Sequence, residues 1–236
     1  MAPDAESLFD PQRPTHLLLM RHPQTEGNVE HRFYGQHDSP LSEFGQKQLQ
    51  RAVAGLVAWQ PDLMVSSPIA RCLAIAEPVA EQSGCPLVTD DRLKEMGFGA
   101  LEGLDQGEAV AQGLGMPWNP NTEPGSVAGA ESLQEFSERV VQAADWLTQQ
   151  QGNVAVISHG GVIRTIVLYW LHLQTQFIWQ MAVRNIESAC FSVDKNGSVY
   201  LEAFGLWPEW LAAPPANSPA TQQSPPPATP TAAPAG

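Results

Sequence analysis

The sequence predicts an α/β fold: a three-layer α/β/α sandwich with a mostly parallel sheet, an antiparallel edge hairpin and a short lid insertion. Three observations carry that expectation. Uninterrupted apolar runs at 17–20, 63–65 and 154–157 have the character of strands buried on both faces. Stretches with apolar residues at helical spacing separate them. Two β-like segments, 188–194 and 198–204, flank Lys195-Asn196-Gly197, and Asn-Gly is the strongest short hairpin signal.

Residues 1–13 read as a flexible leader, 14–212 as the domain and 213–236 as a tail. The first strand runs straight into Arg21-His22. Ser42 then caps a helix whose Leu49, Val53, Leu56 and Val57 share a face, and Pro61 ends it. After the strand at 63–65, Ser67-Pro68 reads as a helix start, a capping serine with proline at the first helical position. That helix carries Arg71 in its first turn, contains Pro78 and reaches Gly84. Residues from about 97 to 130 are rich in Gly, Pro and Asn and are expected to form an irregular lid, with one short helix near 107–112. Ser132 and Glu135 make a capping box ahead of Phe136, Val140, Ala143 and Leu147. The strand at 154–157 ends at Ser158-His159-Gly160-Gly161, where a helix begins and runs to about Trp170. The tail is rich in Pro, Ala, Ser and Thr without one charge, so it cannot bury a core; disorder with polyproline II bias is expected.

Composition narrows the function classes. Twenty-five acidic against 12 basic residues leave a formal net charge of -13, which argues against nucleic acid and anionic membranes as partners. The apolar runs fall far short of the roughly 20 residues that cross a bilayer. Cys72, Cys85 and Cys190 form no Cys-x-x-Cys pair, so reduced thiols are expected, and neither a disulfide framework nor a zinc site. With no basic region at the N-terminus to suggest a signal peptide, a cytoplasmic protein is expected. His31 and His37 share a loop but lack a third ligand, so no metal site is expected. Nothing in the sequence sets the oligomeric state.

Three segments place phosphate-compatible residues at a strand end or a helix start: Arg21-His22, Ser66-Ser67-Pro68 with Arg71, and Ser158-His159-Gly160-Gly161. In open α/β sheets ligands bind beyond the carboxyl ends of the strands, where all three would converge. Guanidiniums match phosphate oxygens bidentately. The amides after His159 open a helix N-terminus, where an anion is favoured, and Gly160 and Gly161 permit close backbone approach.

Taken together, these segments resemble the histidine phosphatase superfamily, in its phosphoglycerate mutase-like branch. The resemblance covers roughly residues 17–204. It includes Arg21-His22-Pro23-Gln24-Thr25-Glu26-Gly27-Asn28, Gly35, Pro40-Leu41-Ser42-Glu43-Phe44-Gly45, Lys94-Glu95, Glu102-Gly103 and Glu131-Ser132. It implies that His22 is the nucleophile that takes the phosphoryl group. Arg21, Arg71 and His159 would clamp the phosphate oxygens, with Asn28 assisting. Glu95 would protonate the leaving group and then serve as base for water. No cofactor or metal is implied. A neutral imidazole is nucleophilic near pH 7, but its second nitrogen needs an acceptor, which the sequence does not identify. Pro23 stands where the family usually has Gly. Proline holds φ at about −65° and has no N–H, so the nucleophile loop must differ if the family's Gly uses either freedom.

Between Lys94 and Arg139 there is no Lys or Arg, while Glu95, Glu102, Asp105, Glu108, Glu123, Glu131, Glu135 and Glu138 lie there. A substrate with a second anionic group calls for cations at the pocket mouth. An acidic lid therefore favours a small phosphomonoester with one phosphate and a neutral, aromatic or aminated body. The resemblance is to small phosphatases such as the α-ribazole phosphate or phosphoserine enzymes. Arg32, Arg92, Arg164 and Arg184 remain available to reach the site. Trp118, in the lid, is the aromatic expected to contact the substrate body. The leading expectation is a phosphomonoester hydrolase. The alternatives are a phosphoglycerate mutase, disfavoured by the short acidic lid, and a catalytically weak phosphate-binding regulatory protein, motivated by Pro23.

Overall fold

The computed structural model describes residues 15–116 and 125–211. The expected leader at 1–13, the expected tail at 213–236 and Trp118 lie outside the described residues. The elements are β1 (Thr15–Arg21), α1 (Glu26–Val29), α2 (Glu43–Trp59), β2 (Leu63–Ser66), α3 (Ala70–Ser83), β3 (Leu87–Thr89), α4 (Gln106–Ala111), α5 (Leu133–Leu147), β4 (Asn153–Ser158), α6 (Gly160–Trp170), β5 (Ser188–Val193) and β6 (Val199–Leu206).

They build one six-stranded sheet in the order β3-β2-β4-β1-β5-β6. The first four strands are parallel to one another; β5 and β6 add an antiparallel edge. Alternation within the apolar runs sorts side chains to opposite faces. Leu17, Leu19, Leu63, Val65, Val154 and Val156 pack with α5 and α6. Leu18, Met20, Met64, Ala155 and Ile157 pack with α2 and α3. Both faces are therefore covered, which is why these strands carry no polar alternation. The three-layer fold and the edge hairpin are as expected. Among the described residues no helix is long and apolar enough to cross a membrane.

Register brings the chemistry to one edge. Arg21 sits opposite Ser158 in the β1–β4 pair, and Ser66 opposite Ile157 in the β2–β4 pair. His22, Ser67 and His159 are the residues just beyond these three strands, at their carboxyl ends.

Three local outcomes differ from expectation. Helix α3 starts at Ala70, and its N-cap Ile69 makes no side-chain cap. The residue before a proline is disfavoured in the α region, so Ser67 stays extended and its N–H continues the sheet to the Ile157 carbonyl at 3.0 Å. As expected, α3 contains Pro78 and runs on to Ser83, with Gly84 at its C-cap. Strand β3 carries no sequence signal because it is three residues long and largely exposed at the sheet edge. Helix α1, four residues capped by Thr25 and Asn28, is too short for a periodic signal.

The Ser132–Glu135 capping box heads α5 as expected. The lid region has its own small core of Leu101, Ala109 and Val127. Its neck is pinned by Ala100 N–H to Ala128 O at 2.9 Å and Glu131 N–H to Gly97 O at 2.8 Å.

Candidate active site

His22 is 4% exposed, and its N–H extends the sheet to the Ser158 carbonyl at 3.0 Å. Its ring Nδ1 lies 2.7 Å from the Pro23 carbonyl. A carbonyl only accepts, so Nδ1 carries the proton and Nε2 keeps its lone pair. This is the acceptor that sequence reasoning could not name. Proline loses an N–H but keeps a carbonyl, so Pro23 serves this contact as any residue would. Burial, followed by the Arg71 and Arg21 charges, holds the His22 pKa well below the ordinary histidine value. The imidazole is thus neutral, the form in which a histidine is nucleophilic.

His159 faces it, with ring centroids 5.2 Å apart. Arg71 Nη2 donates to His159 Nδ1 at 3.2 Å. A guanidinium cannot accept, so the proton of the neutral ring sits on Nε2, 2.9 Å from Ser67 Oγ. Burial first, then Arg71, keeps His159 neutral as well. Ser67, expected to cap a helix, orients this imidazole instead.

Arg71 is buried, at 3% exposure. Its Nη2 donates to Gly35 O at 2.6 Å and its Nη1 to His37 O at 2.9 Å, which tethers the loop after α1. Arg21 Nη1 donates to Val183 O at 2.8 Å. The Nε groups of both arginines are buried and find no hydrogen-bond partner among the described residues. Two desolvated guanidiniums with unmatched donors are costly unless an anion completes them.

Glu95 stands at the N-terminus of α6. Its carboxylate accepts from Gly161 N–H at 3.0 Å and from Met96 N–H at 3.0 Å. A Cβ at Gly161 would collide with that carboxylate, so Gly161 is required for close approach. The Glu95 backbone is held from behind by a residue that sequence reasoning missed. Arg139 Nη2 donates to Glu95 O at 3.0 Å, and its Nη1 donates to Lys94 O at 2.6 Å and Arg92 O at 2.8 Å. The same guanidinium forks onto Glu131 at 2.6 and 2.8 Å. Glu102 has a different surrounding: its carboxylate accepts three backbone N–H groups, from Gly35, Gln36 and Phe98, and ties the loop after α1 to the lid neck.

Asn28 Oδ1 accepts from Thr25 N–H and from Asn185 Nδ2, both at 3.2 Å, and neither contact uses the Asn28 donor end. Asn185 Nδ2 also holds the His22 carbonyl at 3.0 Å. Asn185 lies in an aperiodic stretch between α6 and β5, where sequence offers no signal for it. Gly160 is buried, and a Cβ there would come 3.1 Å from Arg164 Nη1 and 3.6 Å from Arg21 Nε. The five expected groups His22, Glu95, Arg21, Arg71 and His159 therefore share one locality, with Asn28 and Gly160 at its margin. Of the four further arginines, Arg32 pairs with Glu108, Arg92 with Asp90 and Arg184 with Glu187. Arg164 lines the cavity next to Glu95.

An open α/β sheet with imidazoles, buried guanidiniums and a helix N-terminus at its carboxyl edge defines a class of anion-handling α/β proteins. The chain belongs to the histidine phosphatase superfamily (branch 1), whose family model matches residues 17–204. It is 32% identical over 173 residues to a Salmonella paratyphi C protein named "Probable phosphoglycerate mutase GpmB", covering 72% of this chain and 80% of that one. It is 33% identical over 168 residues to the glucosyl-3-phosphoglycerate phosphatase of Mycolicibacterium vanbaalenii, covering 66% and 74%. Among solved structures, the α-ribazole phosphatase of Shigella flexneri superposes with a TM-score of 0.72 over 81% of this chain and 96% of that one; at 22% identity the likeness is one of fold.

Proposed function

We propose that the chain hydrolyses small phosphomonoesters through a phosphohistidine at His22, with Glu95 as general acid and then general base. The observation that carries this is the Nε2 of a neutral, buried His22, unpartnered among the described residues, beside two guanidiniums whose Nε donors are likewise unmatched among them. Nε2 attacks phosphorus as the ester oxygen departs, and Glu95 delivers a proton to that oxygen. Glu95, now a carboxylate, takes a proton from water as the water oxygen attacks phosphorus and the P–N bond breaks. Inorganic phosphate and neutral His22 are restored. Phosphoryl transfer asks chiefly for alignment and charge stabilisation, which Arg21, Arg71 and the His159 segment supply. Relatives named as a mutase and as a phosphatase both support phosphoryl chemistry at this site. The cation-free lid favours hydrolysis over a mutase reaction, which must hold a doubly anionic substrate.

The test traps the adduct. Wild type quenched during turnover of labelled 4-nitrophenyl phosphate should carry an acid-labile, base-stable phosphoryl group, and His22→Ala should carry none and turn over nothing. An adduct on Ser, Asp or Cys overturns the nucleophile. Phosphate binding without turnover makes the chain a phosphate-binding protein instead. Glu95→Gln checks the acid: kcat/KM for alkyl phosphates should fall roughly 10²–10⁴-fold and that for 4-nitrophenyl phosphate far less, because nitrophenolate leaves without a proton. Equal, small losses reject Glu95.

A further inference from the structure

The leaving group must lie where Glu95 can protonate it. An in-line transfer places the departing oxygen on the side of phosphorus away from His22, and a general acid works within about 3 Å of the oxygen it protonates. The alcohol portion of the substrate therefore extends past the Glu95 carboxylate. The structure has a cavity of about 450 Å³ there, with Glu95 and Gly161 in its wall. That volume falls within the usual range for small-molecule sites.

Its lining is apolar. Phe98 comes from the lid neck, Leu133 and Phe136 from α5, Leu168 from α6, and Leu173 and Ile178 from the segment after α6. Two of its hydroxyls are engaged elsewhere. Thr165 Oγ1 donates to Gly161 O at 3.0 Å, and Tyr169 OH to Asp145 Oδ1 at 2.8 Å. Arg164 is the one cation lining this cavity among the described residues. Its Nε donates to Met181 O at 2.9 Å, its guanidinium lies 5.5 Å from the Trp179 ring centre, and its Nη1 lies against Gly160, at the phosphate end. A carboxylate or a polyhydroxylated body placed among these apolar walls would be desolvated, with the Arg164 guanidinium as the one charged donor to meet it.

We infer that the site takes phosphomonoesters of bulky apolar alcohols, aromatic or aliphatic, and discriminates against carboxylated or sugar alcohols. The inference rests on the hydrolase reading above. The occupant of the cavity is the substrate's own alcohol portion, because the cavity continues from the proposed acid.

A homologous series tests it. kcat/KM for n-alkyl phosphates from ethyl to hexyl should rise roughly two- to fourfold per methylene, the range expected for transfer of CH₂ out of water. 1-Naphthyl phosphate should exceed 3-phosphoglycerate by at least about 100-fold, as expected when a body that finds no polar partners is compared with one that fits an apolar wall. In Leu173→Asp and Ile178→Asp the chain-length slope should flatten, with the loss in KM for the long esters. Leu173 is 44% exposed, so that variant puts little core packing at risk. A flat or falling slope, or 3-phosphoglycerate as the better substrate, overturns the inference. The same chain lengths as n-alkylphosphonates, read by calorimetry, report the slope without turnover. A protein that binds them with the rising slope yet hydrolyses no ester refutes the hydrolase reading and upholds the apolar cavity; hydrolysis with a flat slope does the reverse.

Discussion

His22 and His159 are both neutral because they are buried against the same two arginines, and that has a measurable cost in acid. The folded state resists a proton that the unfolded chain accepts near the ordinary histidine pKa of about 6.5. Both folded values are depressed, so the contribution is fully present above about pH 6.5 and is lost as pH falls below it. Each residue can contribute a slope of up to about 1.4 kcal/mol per pH unit in that window. Urea unfolding in phosphate-free buffer should therefore show stability falling between pH 7 and 5, and His22→Gln should remove roughly half of the slope. The carboxylates with lowered values, Glu135, Asp194, Glu202 and Glu209, act below about pH 4.5 and leave the window clean. An unchanged slope in the variant would mean that His22 ionises freely in the fold. At this scale the sequence identified residue types well and environments poorly. Arg21, His22 and Arg71 were legible from their neighbours, but nothing adjacent in sequence marks the Ser67–His159 contact, which spans 92 residues.

At the scale of elements, Glu95, the proposed acid, is placed by three pieces that meet at one point. The strap 92–95 hangs from Arg139 on α5, its carboxylate docks on the first turn of α6, and Gln36 Nε2 reaches the Glu95 carbonyl at 3.3 Å. Gly161 separates the two functions of a residue in a first helical turn. Replacing an exposed helical Gly by Ala ordinarily stabilises by about 1 kcal/mol. Here the new methyl meets the Glu95 carboxylate. Gly161→Ala should therefore lower kcat at least tenfold for alkyl phosphates while leaving the melting temperature within a few degrees of wild type. A fully active Gly161→Ala would show that the carboxylate does not work from this position. The Ser132–Glu135 box and the α6 start were readable because capping chemistry is local. The α3 start differs from the local signal because its serine and proline satisfy a local rule that the sheet overrides: Ser67 continues the β2–β4 pairing before the helix can begin.

For the molecule as a whole, the site joins β1, β2 and β4, whose order in the sheet differs from their order in the chain. Strand β4 inserts between β1 and β2, so His159 arrives beside His22 only when the sheet is complete. An anion that bridges these strands should therefore stabilise the entire fold. At 100 times its dissociation constant, inorganic phosphate should add about 2.7 kcal/mol, roughly 5–10 °C in Tm for a domain of this size. Thermal denaturation with and without phosphate checks this, and Arg21→Met should lose most of the shift. Equal shifts in both proteins would place the anion elsewhere.

The sequence by itself determined the layer architecture, the parallel core with its hairpin edge, and the three segments that carry the chemistry. Periodicity, capping boxes and turn residues are local, and local signals survive in one dimension. It also determined the acidic lid, because composition needs no coordinates. Only the tertiary structure decided which acceptor holds His22, which residue holds Glu95 in place, and that Glu102 accepts three backbone N–H groups at the lid neck. It alone showed an apolar cavity beside Glu95, assembled from side chains of the lid neck, α5, α6 and the segment that follows. Those contacts join residues tens of positions apart, and a hydrogen bond or a cavity wall depends on distance in space, which the order of residues along a chain does not record.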